Sequence, residues 1–180
     1  MNALKILKEV DCRMDKRIDL TLYGRAAIQL GYRNPPKDTL LSLDVDAIFW
    51  NGQAEWLNEQ TLFWDVIEQV NQCLASDGLY ISHFFTEDQV ILKSNWKENR
   101  LKLDLPFEML EVYRLSDIDL LLSKLMRDDP QDLQDALFII QASHLTERQI
   151  REAMKSARIP EVADIQEQYK LASQRLLSNL

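Results

Sequence analysis

Residues 43–48, Leu43-Asp44-Val45-Asp46-Ala47-Ile48, constrain the fold more than any other stretch, because acidic and apolar side chains alternate through them. Successive side chains on a strand point to opposite faces. The segment therefore predicts a strand that turns Leu43, Val45 and Ala47 to a core and Ser42, Asp44 and Asp46 to the other face. The two aspartate Cα atoms are then roughly 6.5–7 Å apart. Carboxylates held that close repel one another, and a divalent cation between them removes the penalty. Oxygen donors of this kind suit a hard ion such as Mg²⁺. Taken alone, the pair also fits the solvated side of an edge strand.

A strand needs neighbours, and the flanking sequence supplies them. Ile18–Tyr23 alternates in the same way and predicts a strand ended by Gly24. Residues 25–30 read as a short helix closed by Gly31 at the C-cap, and Pro35-Pro36 marks a loop after it. Before the first strand, residues 2–14 place Leu4, Leu7 and Val10 on one helical stripe. Asn51-Gly52 predicts a turn, and residues 55–75 one long helix carrying Leu62, Phe63, Val66, Ile67, Val70 and Leu74 at helical spacing. Asp77-Gly78 breaks the chain again. Residues 79–85, 89–93, 100–105 and 109–114 read as short strands.

Beyond residue 115 the pattern is helical. Ser116 is placed to cap a helix, Pro130 to open a second in its first turn, and Thr146 with Gln149 to form a capping box for a third. Pro160 separates a fourth, residues 161–177. The order predicts an α+β fold: a core over residues 1–115, with a mixed β-sheet flanked by helices, and a C-terminal helical segment, 116–180, packed on it.

A net charge of −8 argues against a protein that coats nucleic acid, and DNA is not an expected partner. That balance outweighs the faint helix-turn-helix pattern ending at residues 146–157. Cys12 and Cys73 lack metal or redox spacing, and His83 reads as a strand residue rather than a ligand. The charged N-terminus has no secretory apolar core, and no apolar run approaches the roughly 20 residues a membrane span needs. The cytoplasm is the expected location.

Two stretches carry a family resemblance. One is Leu22-Tyr23-Gly24-Arg25-Ala26-Ala27-Ile28-Gln29-Leu30-Gly31-Tyr32 followed by Ser42-Leu43-Asp44-Val45-Asp46; the other runs from Arg114-Leu115-Ser116-Asp117 through Lys124 and Arg127 to Asp132-Leu133-Gln134-Asp135. In this order and spacing the chain resembles the polymerase-beta-type nucleotidyltransferase superfamily, and more narrowly small bacterial nucleotidyltransferase-like proteins related to abortive-infection toxins. The resemblance implies a Mg²⁺-dependent transfer of a nucleotidyl group from a nucleoside triphosphate to an acceptor hydroxyl. The acceptor would be an RNA, a protein side chain or a small molecule. A partner protein, as in a toxin–antitoxin or phage-defence pair, is a further implication.

On that resemblance Asp44 and Asp46 match the metal-binding pair and Gly24 the glycine where backbone approaches triphosphate. Ser42 matches the small hydroxyl position before the pair, Lys124 a phosphate-meeting lysine, and Asp132 and Asp135 acidic positions of the following helix. The chain departs from the pattern at Arg25, where a small residue is usual; the guanidinium there either blocks the approach or binds phosphate itself. The third carboxylate is assigned to Asp104, which alternates on an expected strand, with Glu111 as the second choice. Against the active enzyme stand two other readings: a catalytically degenerate binding module on the same fold, and an oligomeric interaction protein built through the C-terminal helices.

Overall fold

The structure, a computed structural model, describes residues 1–180. In chain order its first elements are α1 (Asn2–Asp11), β1 (Ile18–Tyr23), α2 (Gly24–Gly31), β2 (Asp44–Phe49), α3 (Asn51–Asn58), α4 (Thr61–Leu74) and β3 (Tyr80–Thr86). Then come β4 (Leu92–Lys93), α5 (Trp96–Asn99), β5 (Leu101–Lys102), β6 (Leu110–Arg114) and α6 (Asp117–Ser123). The chain ends with α7 (Pro130–Ala142), α8 (Glu147–Ser156), β7 (Ala157–Arg158) and α9 (Ala163–Leu177). Two units divide it: Met1–Thr86 with Arg100–Arg114, and Glu87–Asn99 with Leu115–Leu180.

The first unit is built on a five-stranded mixed sheet in the order β3-β2-β1-β6-β5. β1 runs antiparallel to β2 and parallel to β6, and β2 runs parallel to β3. The alternation that predicted β1 and β2 sorts their side chains as expected except at Leu43, which precedes β2 and is 48% exposed rather than turned to the core. Leu20, Leu22, Val45 and Ala47 are buried, as are Ile6, Leu7 and Val10 of α1 and Phe63, Val66 and Val70 of α4. Phe63 joins helix to sheet through edge contacts with Phe49 and Phe84, at ring separations of 6.3 and 5.7 Å. Asp11 ends α1 by accepting the N–H groups of Met109 and Leu110 at 2.7 and 2.8 Å, which fixes where β6 begins. The fold class is thus α+β, with a mixed sheet flanked by helices.

Five local expectations give way to tertiary packing. The long helix over 55–75 is two helices, and α3 starts at Asn51 where a turn was expected. The break at Glu59-Gln60 is bridged by the Trp64 indole N–H, which donates to the carbonyl of Leu57 at 2.9 Å beside the backbone N–H of Gln60. Gly31 is the last residue of α2 rather than its left-handed cap. A Cβ on it would stand 2.2 Å from Cδ of Arg114, so glycine here makes room for a buried arginine whose guanidinium lies 4.6 Å from the Tyr32 ring. Residues 89–93 form strand only at Leu92–Lys93, which pairs with β7 in the second unit. Residues 100–105 form strand only at Leu101–Lys102.

The second unit carries the expected caps. Ser116 Oγ accepts the Asp119 N–H at 3.1 Å, Pro130 is the first residue of α7, and Thr146 with Gln149 completes a capping box. No helix is long and apolar enough to cross a membrane.

Asp119 is buried in the first turn of α6, where it accepts the Lys93 N–H at 2.8 Å and the Ser116 hydroxyl at 2.6 Å. Burial raises its pKa above the ordinary 3.8, against the lowering pull of those two bonds. A folded carboxyl that holds its proton more tightly than the unfolded one stabilises most below pH 3.8, and loses that contribution as pH rises through the folded value. Asp119→Asn keeps an acceptor for Lys93 and removes the titration. The parent should therefore lose stability relative to the variant as pH rises from about 4 toward 7. Urea midpoints across that range check it, and parallel curves would refute it.

Candidate metal centre

β2 and the residues that open it place two carboxylates on the sheet face opposite the core. Asp44 and Asp46 are both partly buried. Ser42, just before the strand, donates its hydroxyl to Asp44 Oδ1 at 2.7 Å and so orients that carboxylate. Tyr23 at the end of β1 sits opposite Asp46, which brings the start of α2 over the same side chain. Gly24 opens that helix with φ +66°, in the left-handed region where a side chain is strained. A Cβ there would stand 3.0 Å from Asp46 Oδ2. Both the backbone angle and the closeness to the carboxylate require glycine at this position.

The third side chain of the cluster comes from β3. The register of β2 with β3 runs Val45 opposite Ile81 and then Asp46 opposite His83, so Ser82 is an extra, bulged residue. A bulge shifts the alternation by one position. Without it Ser82 would face Asp46 and His83 would point to the core side. With it, His83 Nδ1 lies 3.0 Å from Asp46 Oδ1 and 2.8 Å from Ser82 Oγ. The His83 ring stacks on Phe85 at 5.8 Å, and Phe85 meets Tyr23 edge-on at 5.6 Å. One ligand atom each from Asp44, Asp46 and His83 lies within 4.8 Å of the others.

The other residues named from the sequence stand elsewhere. Arg25 turns to the loop before β2, pairing with Asp38 Oδ2 at 2.8 Å. Asp104 falls outside the strand on which it was expected to alternate: β5 ends at Lys102, and Asp104 is exposed in the segment after it. β5 has two neighbours, β6 and then β1, between it and β2. Glu111 lies on β6, about 10 Å from β2 across the sheet. Lys102 stands 3.3 Å from it, and this ion pair lowers the pKa of its carboxyl. Asp19, on the same face of β1, is held by Arg100 through two bonds of 2.6 and 2.7 Å. That guanidinium also lies 4.0 Å from the Tyr113 ring.

Lys124 belongs to the second unit. Its ammonium is buried between Asp135, at 2.7 Å, and Asp132, at 3.2 Å. Arg127 closes on the far oxygen of Asp132 at 2.7 Å.

His83 is the cluster member that the sequence reading set aside. Its signal is the polar doublet Ser82-His83 between Ile81 and Phe84, an interruption of strict alternation that marks a bulge. The two aspartates and the imidazole offer donors that fit a divalent ion of the kind used in phosphoryl chemistry.

A family model described as a nucleotidyltransferase of unknown function (DUF6036) matches residues 4–175. No curated protein and no solved structure matches the chain.

Proposed function

The chain belongs to this family of nucleotidyltransferases of unknown function, and from that premise we propose that it moves a nucleotidyl group from a nucleoside triphosphate to an acceptor hydroxyl, in the manner of the polymerase-beta superfamily. The observation that carries the reading is Asp44 and Asp46 on one strand face beside the glycine turn that opens α2. A bound dication would neutralise triphosphate charge and stabilise the oxygens of an in-line displacement. The chain's own part is positional. Ser42 orients Asp44, and Gly24 keeps the space above Asp46 clear of a side chain. The first amides of α2 lie on that side, where a helix start favours phosphate. Such transfer depends mainly on positioning and charge neutralisation, which asks little covalent chemistry of the protein.

A hydroxyl of RNA or of a protein side chain is the proposed acceptor class, and a partner protein in a defence or toxin–antitoxin pair the proposed setting. Calorimetry with each of the four ribonucleoside triphosphates, with and without Mg²⁺ or Mn²⁺, tests the reading. Dication-dependent binding of at least one triphosphate is expected, and no binding under any condition would overturn it. A second reading, a binding module with a degenerate site, is favoured by two observations: Arg25 engages Asp38, and only two carboxylates join the cluster. It predicts triphosphate binding with no pyrophosphate release.

A further inference from the structure

We propose that His83 is the third protein ligand of the ion held by Asp44 and Asp46, and that this mixed nitrogen–oxygen set selects a first-row transition dication over Mg²⁺. The inference rests on the reading of the two aspartates as metal ligands and goes beyond it to the identity of the ion.

Geometry is the first argument. Two donors each about 2.1 Å from one ion, at right angles, stand about 3.0 Å apart. His83 Nδ1 and Asp46 Oδ1 are 3.0 Å apart, and the Asp44 donor completes a group within 4.8 Å. The contact is not a product of loose side chains. It is built by the bulge at Ser82, which turns His83 to the carboxylate side, and by the Phe85 ring stacked against the imidazole.

The second argument is the chemistry of the donors. Mg²⁺ sheds water reluctantly and takes oxygen ligands almost exclusively. Imidazole is a better ligand for the transition series, where affinity at nitrogen and oxygen sites climbs from Mn²⁺ toward Ni²⁺ and Cu²⁺. Neither alternative third carboxylate contributes, since Asp104 lies beyond β5 and Glu111 is held by Lys102.

The test uses the full chain freed of metal with a chelator, titrated separately with Mg²⁺, Mn²⁺ and Co²⁺ in the absence of nucleotide. The parent should bind Co²⁺ and Mn²⁺ at least about tenfold more tightly than Mg²⁺. Pulsed electron spin-echo spectroscopy of the Mn²⁺ form should show modulation from a directly bound nitrogen. His83→Ala should abolish that modulation and weaken Co²⁺ and Mn²⁺ by about tenfold or more, the scale on which even outer-shell partners alter affinity. His83→Asp should bind Mg²⁺ better than the parent does, because it restores an all-oxygen set. Circular dichroism confirms that both variants fold, which the exposure of His83 favours. Mn²⁺ binding with no nitrogen signal, or equal affinities in parent and His83→Ala, would overturn the assignment of His83 and leave the aspartate site standing. No dication binding by the parent would overturn both.

Discussion

Replacing both aspartates, Asp44→Asn with Asp46→Asn, should abolish dication binding and lower any nucleotidyl transfer about a thousandfold or more. That is the scale seen when a charge that stabilises a transferring phosphoryl group is withdrawn. The fold should survive. Asparagine keeps an acceptor for the Ser42 hydroxyl and for His83, and the change removes a like-charge repulsion on one strand face. Melting temperatures without metal should therefore be equal to the parent's or slightly higher, while titration calorimetry shows the loss of the ion. A double variant that still binds Mg²⁺ and Mn²⁺ with the parent's affinity would remove the aspartates from the site.

The second large effect is expected in the other unit. Lys124 is 7% exposed and Asp135 2%, with Asp132 beside them, so Lys124→Met leaves buried carboxylates without their cation. Breaking such a pair from one side typically costs about 3–5 kcal/mol, because the remaining charge stays desolvated. Arg127 still serves Asp132, so the loss falls mainly on the 2.7 Å contact between Lys124 and Asp135. The combined Lys124→Met, Asp135→Leu variant should recover much of the loss, as apolar replacements of buried ion pairs often do. Denaturant midpoints of the three proteins decide the matter. If Lys124→Met is as stable as the parent but no longer binds triphosphate, Lys124 is the phosphate ligand that the family resemblance implied.

These expectations depend differently on what can be read along the chain. The two-carboxylate face was legible because a strand's alternation is a short-range property, and Asp44 and Asp46 lie two residues apart on one strand. The helix starts at Ser116, Pro130 and Thr146 were legible for the same reason: a cap or a first-turn proline acts within two or three residues. Asp104 was not legible. Its alternation is as good as that of residues 43–48, but a strand persists only while a neighbour takes its hydrogen bonds, and the last bond from this segment to β6 is Leu103 N–H to the Val112 carbonyl at 2.9 Å, one residue short of Asp104. Gly31 is similar: a helix-ending glycine reads as a cap, and the side chain that excludes a Cβ there arrives from Arg114 on a different strand.

The sequence by itself determined the α+β order of elements, the helix starts after residue 115, and the pair of carboxylates that share one strand face. Tertiary structure alone decided what meets that pair. The register shift at Ser82 puts His83 rather than Asp104 beside Asp46. A register is set by hydrogen bonds between strands and by core packing on one face, and a one-residue slip reverses every side chain after it. The Ser82-His83 doublet marks where alternation breaks, but local sequence does not say which residue of the neighbouring strand His83 then meets. The chemistry of the third ligand, and with it the kind of ion the site takes, therefore depends on contacts between residues 37 positions apart.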